Sequence, residues 1–207
     1  MLVIVDYGMG NLFSVKNMIK YLGHDSTISG DKQVISQADR LILPGVGNFG
    51  SAMQIIRESG IQDILNQKVL VDKVPILGIC LGMQLLTEYS EEGDCEGLGW
   101  IPGDVTRFRF PDEKEYKVPH MGWDYIHMEH DSELMRDVVK DSRYYFVHSY
   151  YVTCKNRENA IATTEYGMRF DSIIQKDNVV GTQFHPEKSH KFGMKILQNF
   201  LENFYVS

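Results

Sequence analysis

The chain has 207 residues, of which 43% are hydrophobic and 24% are charged, and its net charge is −7. This length predicts one domain, residues 1–207, whose core needs no disulfide or metal. The acidic balance and the lack of a basic stripe exclude a general nucleic-acid binder, and no apolar run is long enough to span a membrane. The three cysteines form no CxxC pair and follow no signal peptide, so we expect free thiols and a cytoplasmic protein.

The first half of the chain alternates strand and helix patterns. Short apolar runs end in glycine-rich turns, and each turn is followed by apolar residues at helical spacing. Strands separated by helices of this length favour right-handed crossovers and a parallel sheet, with the turns at its carboxyl edge. The predicted strands are 2–5, 40–43 and 74–79, and the helices after them lie around 12–22, 53–61 and 81–89.

After Gly93 the pattern changes to short β-like runs at hairpin spacing. A further core strand is predicted at 179–184, before an apolar-faced C-terminal helix. The whole pattern predicts an α/β, flavodoxin-like, doubly wound fold with a mostly parallel sheet and an antiparallel β extension. The short runs of the extension are 105–110, 123–127, 144–151, 160–164 and 172–175.

The stretch 75–84 carries the strongest chemical signal. A short apolar strand runs into Gly78-Ile79-Cys80-Leu81-Gly82, and an amphipathic helix begins at once. A lone cysteine among apolar residues is most often an inert core residue. Here the glycines fit a nucleophile elbow, a strand-to-helix turn with no room for Cβ on either side of the nucleophile. A helix N-terminus behind Cys80 would favour its thiolate.

The second signal is His185-Pro186-Glu187, which follows the last predicted strand. This pair could be a surface loop or two metal ligands, but no third ligand accompanies it at the usual spacing. As a catalytic pair, His185 would accept the thiol proton and Glu187 would orient the imidazole ring. The combination with the elbow is more specific than either motif alone, and we expect no metal.

Two glycine-rich turns complete the set. The turn at 44–47 contains Gly45-Val46-Gly47, and besides being a tight turn it could present backbone N–H groups that meet the N–H of Leu81 in an oxyanion hole. Such donors contribute about 3–4 kcal/mol each to acyl transfer. The turn at 6–11 only superficially matches a dinucleotide-binding fingerprint, because Phe13 stands where the third glycine belongs. We expect no cofactor.

Together these motifs resemble the class I (triad) glutamine amidotransferases, and within them the branch of glutaminase subunits of imidazole glycerol phosphate synthases in histidine biosynthesis. The resemblance covers essentially the whole chain, from the first strand to the last. The segments that carry it are 6–12, 44–47, 78–84, 119–123, 145–150 and 183–189.

The resemblance implies that Cys80 attacks the side-chain amide of L-glutamine and forms a γ-glutamyl thioester. His185 would transfer the proton, and Glu187 would orient the imidazole ring of His185. Val46, Gly47 and Leu81 match the oxyanion positions of the family. The positions that match its substrate-binding residues are Gly45, Gln84, Glu92, His148, Ser149 and Tyr150.

The resemblance also implies a partner, a (β/α)8-barrel cyclase that forms a heterodimer with this chain and receives ammonia through a tunnel. Glutaminase activity would stay weak until the partner and its nucleotide bind, and a flip of the peptide at Gly45 and Gly47 is a plausible cause. The positions that match the partner interface are Asn11, Met121, Trp123 and Lys188.

Alternative interpretations remain open. The family motif at 120–124 usually ends in asparagine, whereas this chain has Asp124. A paralogous branch supplies ammonia to amidate a sugar of bacterial surface polysaccharides, with the same glutaminase chemistry. Cysteine peptidases and redox chaperones use a related fold with an elbow cysteine, but they do not need the combined oxyanion and substrate motifs. A catalytically silent scaffold would not need Cys80, His185 and Glu187.

Overall fold

The structure is a computed structural model that describes residues 1–111 and 115–204. Within these residues the chain alternates strands and helices in its first half and is mostly β-stranded afterwards. The strands are β1 (Leu2–Val5), β2 (Thr27–Ser29), β3 (Arg40–Gly45), β4 (Ile76–Cys80), β5 (Tyr89–Ser90), β6 (Cys95–Glu96), β7 (Gly103–Arg107), β8 (His120–Tyr125), β9 (His127–Met128), β10 (Arg143–His148), β11 (Tyr150–Cys154), β12 (Ala160–Glu165), β13 (Arg169–Lys176) and β14 (Val179–Thr182). The α-helices are α1 (Leu12–Tyr21), α2 (Lys32–Ser36), α3 (Phe49–Glu58), α4 (Ile61–Asn66), α5 (Leu81–Leu85) and α6 (His190–Glu202). A π-helical turn, Gln67–Val71, follows α4, and 3-10 turns lie at Glu133–Met135, Arg157–Asn159 and Pro186–Lys188.

The main sheet joins a parallel half to an antiparallel half. Strands β2-β1-β3-β4-β14 lie side by side and all pair in parallel. Beyond β14 the order continues with β13, β11 and β7, which pair in antiparallel fashion. The predicted fold class, a mostly parallel doubly wound sheet with an antiparallel extension, is confirmed.

The core lies on both faces of this sheet because alternate residues of each buried strand point to opposite sides. In β1, Val3 and Val5 pack with the residues of α2–α4 on one face, whereas Leu2 and Ile4 pack on the other. On that second face the buried residues of α1 and α6 cover the sheet. No helix in the described part of the chain is long and apolar enough to cross a membrane.

Strands β8 and β10 form a second, two-stranded antiparallel sheet. The outer strand alternates strictly, with His120, Gly122 and Asp124 facing inward and the residues between them exposed. This sheet lies beside the carboxyl edge of β4, since the carbonyl oxygen of Val147 is 3.9 Å from the sulfur of Cys80. It therefore forms a wall next to the predicted nucleophile.

Several sequence predictions were wrong in their limits. The strands predicted at 74–79 and 179–184 are Ile76–Cys80 and Val179–Thr182, and the helix predicted around 53–61 is two helices, α3 and α4. The strand predicted to stop at residue 43 continues to Gly45, which pairs with Cys80. The helix predicted over 81–89 ends at Leu85, because the chain turns into β5 and pairs with β7. The single run predicted at 144–151 is two strands that belong to different sheets, divided at Ser149. The edge strand β2 and helix α2 were not predicted.

Candidate active site

Cys80 is the last residue of β4 and stands at the start of α5 with a positive φ of 55° and ψ of −111°. This left-handed conformation is rare for a residue with a side chain, and such strain is typical of functional turns. The turn is closed on both sides. A Cβ on Gly82 would overlap the carbonyl oxygen of Leu43, and a Cβ on Gly78 would lie 2.6 Å from the carbonyl oxygen of Gly82. The glycines predicted to flank an elbow are therefore required by contact.

The helix behind Cys80 has only five residues. So short a helix has a small dipole, and its contribution to thiolate stability is less than the sequence suggested. The polar neighbours of the sulfur are the carbonyl oxygen of Val147 and two side chains. Gln183 directs its amide Nε2 at Cys80 Sγ over 3.7 Å, and the imidazole of His185 interacts electrostatically with the same sulfur.

His185 and Glu187 follow β14 at the same edge of the sheet. The Nδ1 atom of His185 lies 2.8 Å from Oε1 of Glu187, and both side chains are only 2% exposed. Burial opposes a charge on His185, but the Cys80 sulfur and the Glu187 carboxylate outweigh it and raise the pKa of His185 to about 9. The Nε2 atom of this ring is buried and accepts or donates no hydrogen bond among the described residues. One ring nitrogen is thus fixed by the carboxylate and the other remains for chemistry at the sulfur.

A cavity of about 350 Å³ opens beside Cys80, and this volume suits a small molecule. It contains all the predicted oxyanion residues and all but one of the predicted substrate-binding residues. Its lining residues are Val46, Gly47, Cys80, Leu81, Gln84, Glu92, Pro119, Val147, His148, Ser149, Tyr150 and His185.

Gly45 is the predicted residue that does not line the cavity. It supports the cavity wall, because a Cβ there would lie 2.6 Å from the hydroxyl of Tyr7 and 2.9 Å from the N–H nitrogen of Gly82. The Tyr7 hydroxyl is buried and makes no hydrogen bond within the described residues. The neighbouring Gly47 has a φ of 111°, which glycine adopts without strain.

Glu92 and His148 are each fixed at the cavity wall by one hydrogen bond to the backbone. The Oε2 atom of Glu92 accepts from the N–H of Phe49 at the start of α3, at 2.8 Å. The Nδ1 atom of His148 lies 2.8 Å from the carbonyl oxygen of Tyr150. Burial lowers the pKa of His148 to about 3, so its ring is neutral.

Gln84 and Gln183 connect the cavity wall to the sulfur. The amide nitrogen of Gln84 donates to Oε1 of Gln183 and to the carbonyl oxygen of Tyr150, both at 3.0 Å. Gln183 belongs to the segment 183–189 that carries the family resemblance, but the sequence alone assigns it no role. Its position two residues before His185 was an available signal, since residues two apart in an extended segment point to the same side.

The other two cysteines differ from Cys80. Burial raises the pKa of Cys95, and burial raises the pKa of Cys154 still further. Both therefore remain protonated thiols at neutral pH. All three cysteines are free. In the described part of the chain, no group of three His, Cys, Asp or Glu side chains could hold a metal ion.

Two of the four predicted interface residues are exposed on the outer face of β8. Met121 is 61% and Trp123 is 42% exposed, and Tyr125 continues this apolar row with 45%. A row of large, exposed apolar side chains along one strand is typical of a protein contact site.

The other two interface residues lie less openly. Lys188 is half-buried, with Nζ 5.8 Å from the ring centre of Tyr145, and that ring is 6.0 Å from the ring of Trp123. Asn11 is half-buried just before α1, a helix that packs against the turn Pro186–Lys188. Lys188 therefore adjoins the apolar row, whereas no described contact joins Asn11 to it.

The fold and the site together define a class of proteins. Solved structures with the same fold include one titled glutamine amidotransferase, with a TM-score of 0.71, 20% identity and 97% coverage of both chains. Another, from Thermotoga maritima, has a TM-score of 0.70 and 15% identity, and covers 98% of this chain and 96% of that one. The family model "Glutamine amidotransferase class-I" matches residues 3–204. The chain belongs to the class I glutamine amidotransferases, and the resemblance drawn from its motifs is confirmed.

Its relatives point to one branch of that family. A protein named imidazole glycerol phosphate synthase subunit HisH 2, from Methanococcus maripaludis, is 52% identical over 98% of this chain and 99% of its own length. A protein of the same name from Pseudomonas aeruginosa is 46% identical, with the same coverage. Imidazole glycerol phosphate synthase subunit HisH of Geobacillus thermodenitrificans is 48% identical over 97% of this chain and 95% of its own length.

Proposed function

We infer that this chain is the glutaminase subunit of an imidazole glycerol phosphate synthase, which hydrolyses L-glutamine and supplies the ammonia to a cyclase subunit in histidine biosynthesis. The observation that carries the inference is that Cys80 and His185 line one 350 Å³ cavity, while Glu187 contacts Nδ1 of the His185 ring. Full-length relatives named as subunits of that synthase support the pathway.

The first half of the reaction is acyl transfer to sulfur. The Cys80 thiolate adds to the side-chain amide carbon of glutamine, and backbone N–H groups of the segment 46–47 and of Leu81 stabilise the oxyanion. His185, protonated at neutral pH because its pKa is about 9, then gives its proton to the leaving nitrogen. The C–N bond breaks, ammonia leaves, and a γ-glutamyl thioester remains on the sulfur.

The second half hydrolyses the thioester. His185, now neutral, takes a proton from a water molecule, whose oxygen adds to the thioester carbon. The C–S bond breaks, glutamate leaves, and the thiolate and the imidazolium are restored. Glu187 holds Nδ1 of His185 at 2.8 Å through both halves, and therefore keeps Nε2 directed at the reacting atoms.

Glu92 and the backbone at 149–150 are suited to bind the amino-acid end of glutamine. A carboxylate at the cavity wall would attract the α-ammonium group through a charge-assisted hydrogen bond. Ser149 and Tyr150 line the same cavity.

The partner is a (β/α)8-barrel cyclase that binds the exposed face of β8, with Met121, Trp123 and Lys188 at the contact and Asn11 at its margin. Ammonia would pass directly to the partner, because free ammonia becomes protonated at neutral pH. A rearrangement of the peptide between Gly45 and Gly47 on binding would complete the oxyanion hole.

The proposal is tested by ammonia release from glutamine, measured with the isolated chain and with the barrel subunit of the same organism plus its nucleotide. We expect strong stimulation by the partner and complete loss in Cys80→Ala. A partner-independent full rate would contradict the gating step. Full glutamine-dependent activity of Cys80→Ala would contradict the whole mechanism.

A second acceptor is the specific alternative. Two of the relatives carry the number 2 in their names, and Asp124 departs from the family motif at the edge of the partner face. The same glutaminase could serve a paralogous synthase that amidates a sugar of a surface polysaccharide. Assays with each candidate barrel subunit and each acceptor would distinguish the two, because the glutaminase is stimulated by its own partner only when the correct acceptor is bound.

A further inference from the structure

A chain of hydrogen-bonding groups leads from Asp124, on the inner face of β8, to the candidate nucleophile, and the mechanism above does not use its outer part. It passes through His120, His148, the carbonyl group of Tyr150, Gln84 and Gln183. We propose that Asp124 holds His120 as a buried, doubly protonated imidazolium, and that this ion pair positions the residues that line the glutamine cavity. The proposal rests on the proposed function only where it concerns glutamine.

The hydrogen-bond partners of His148 determine which of its ring nitrogens carries a proton. Its Nδ1 lies 2.8 Å from the carbonyl oxygen of Tyr150, which can only accept, so Nδ1 carries the proton. The ring is neutral, because burial lowers its pKa to about 3. A neutral imidazole with a proton on Nδ1 has a lone pair on Nε2. His148 must therefore accept a hydrogen bond at Nε2.

That lone pair fixes the protons of His120. Nδ1 of His120 is 3.1 Å from Nε2 of His148, and it must be the donor. The other ring nitrogen, Nε2, is 3.4 Å from Oδ2 of Asp124. If this ring carried a single proton, an imidazole lone pair would face a carboxylate lone pair. A second proton on Nε2 removes this repulsion and makes an ion pair instead.

The surroundings of the pair favour this charged arrangement. Oδ1 of Asp124 accepts from the N–H of Tyr125 at 2.8 Å, a bond that leaves Oδ2 to face His120. The Asp124 side chain is 27% exposed, so it keeps part of its hydration, whereas His120 is 3% exposed.

Aromatic rings cover both faces of the His120 imidazole. The ring of Tyr166 lies 4.0 Å away at 21°, and that of Phe146 lies 5.0 Å away at 22°. The faces of aromatic rings attract cations. Phe108 and Phe170 contact the ring through their edges. Among the described residues, the titratable groups that contact His120 are Asp124 on its own strand, His148 on β10 and Tyr166 after β12, and only the first of these carries a charge that can pair with it.

The inner part of this series of hydrogen bonds connects the His120–His148 contact to Cys80. The carbonyl oxygen of Tyr150 accepts from both His148 and Gln84, and Gln84 also donates to Gln183, whose amide reaches Cys80 Sγ. His148, Gln84 and Tyr150 line the cavity. The orientation of its wall therefore depends on a donor from His120, and an imidazolium is a stronger donor than a neutral ring.

The test compares wild type with Asp124→Asn, in which an amide N–H can donate to Nε2 of a neutral His120. Nitrogen-15 NMR of the histidine rings at pH 7 gives the number of protons on each ring, and His120→Asn assigns the signal. We expect both nitrogens of His120 to be protonated in wild type and only Nδ1 in Asp124→Asn. Glu202→Gln is the matched control, since it alters the exposed His24–Glu202 pair and should leave His120 unchanged.

The second readout is glutamine hydrolysis by the complex with the barrel subunit. We expect Asp124→Asn to raise KM for glutamine about fivefold with kcat nearly unchanged, because one hydrogen bond is weakened by about 1 kcal/mol. Glu202→Gln should not change either constant. A singly protonated His120 in wild type, an unchanged His120 signal in Asp124→Asn, or an unchanged KM each overturns the proposal. Failure of the wild-type complex to hydrolyse glutamine would refute the proposed function, while the NMR experiment would still determine the proton count.

Discussion

The charge of His185 is decided by competition between burial and two neighbouring groups, the Cys80 sulfur and the Glu187 carboxylate. A side chain this deeply buried would ordinarily be neutral, yet its pKa is raised to about 9 by the Cys80 sulfur and by Glu187. The neighbouring His148 is also buried, no anion among the described residues contributes to its pKa, and burial lowers that pKa to about 3. Two histidines in one cavity thus differ in charge at neutral pH, which separates the proton donor from the structural ring.

The raised pKa of His185 predicts a limit to activity on the basic side. The donor form is present below about pH 9 and is lost as the pH rises through that value, so kcat for glutamine hydrolysis should fall above pH 9. In Glu187→Gln the amide oxygen can still accept from Nδ1, but the negative charge is gone. We expect the fall to move to lower pH in this variant. The measurement is the pH profile of kcat for the complex with the barrel subunit.

Comparing wild type with Glu187→Gln separates the ionisation of the enzyme from that of the substrate. The α-ammonium group of free glutamine loses its proton in the same pH range, but it does so identically with wild type and with Glu187→Gln. A difference between the two profiles therefore belongs to the enzyme. Superimposable basic limbs would contradict the assignment of the limb to His185.

The elbow is the element on which the site depends, and it is held by backbone contact. Strand β3 lies against the start of α5 so closely that a Cβ on Gly82 would overlap the carbonyl oxygen of Leu43. We expect Gly82→Ala to lower the free energy of unfolding by about 3 kcal/mol or more, because only backbone displacement could relieve the overlap. Urea unfolding of the isolated chain measures this loss.

Gly99→Ala provides the matched control for that substitution. Gly99 has a φ of 70°, but a Cβ there would meet no atom within 4 Å. Its loss of stability should be limited to the cost of a positive φ, about 1–2 kcal/mol. Equal losses in both variants would show that close packing does not hold the elbow.

Elements whose limits come from local residues could be predicted from the sequence, and elements limited by distant pairing could not. The apolar run of β1 and the glycine after α1 mark the limits of those elements by themselves. By contrast, α5 ends after five residues because Tyr89 and Ser90 pair with Asp104 and Val105. The run 144–151 is continuous in sequence, and only its pairing partners divide it between two sheets.

The same distinction applies to the candidate site. Cys80, His185 and Glu187 belong to short motifs that the sequence shows directly. In the structure Cys80 and His185 line one cavity, and Glu187 contacts His185. Gln183 and His120 gain their roles from groups on other strands, at distances that no local pattern contains.

At the scale of the whole molecule, β8 separates two functions. Its inner face carries His120 and Asp124 toward the cavity, and its outer face presents Met121, Trp123 and Tyr125 to solvent. Its partner strand, β10, contributes Val147 to the wall beside Cys80. A protein bound to the outer face would therefore lie one strand away from the thiol, which is the short distance that direct transfer of ammonia requires.

Trp123 is the side chain through which we expect the partner to bind most strongly. It is 42% exposed and stacks on the ring of His190 at 5.3 Å, so it is a large aromatic surface held in one orientation. Trp123→Ala should raise the Kd of the barrel subunit by about 30-fold, equivalent to about 2 kcal/mol, measured by isothermal titration calorimetry.

Val71→Ala is the control for that loss of affinity. Val71 is 66% exposed, but it lies before β4, at the edge of the sheet opposite to Cys80. This variant should bind the barrel subunit as wild type does. If Trp123→Ala and Val71→Ala bound equally well, the partner would not use the outer face of β8, and ammonia would have to leave the cavity by another route.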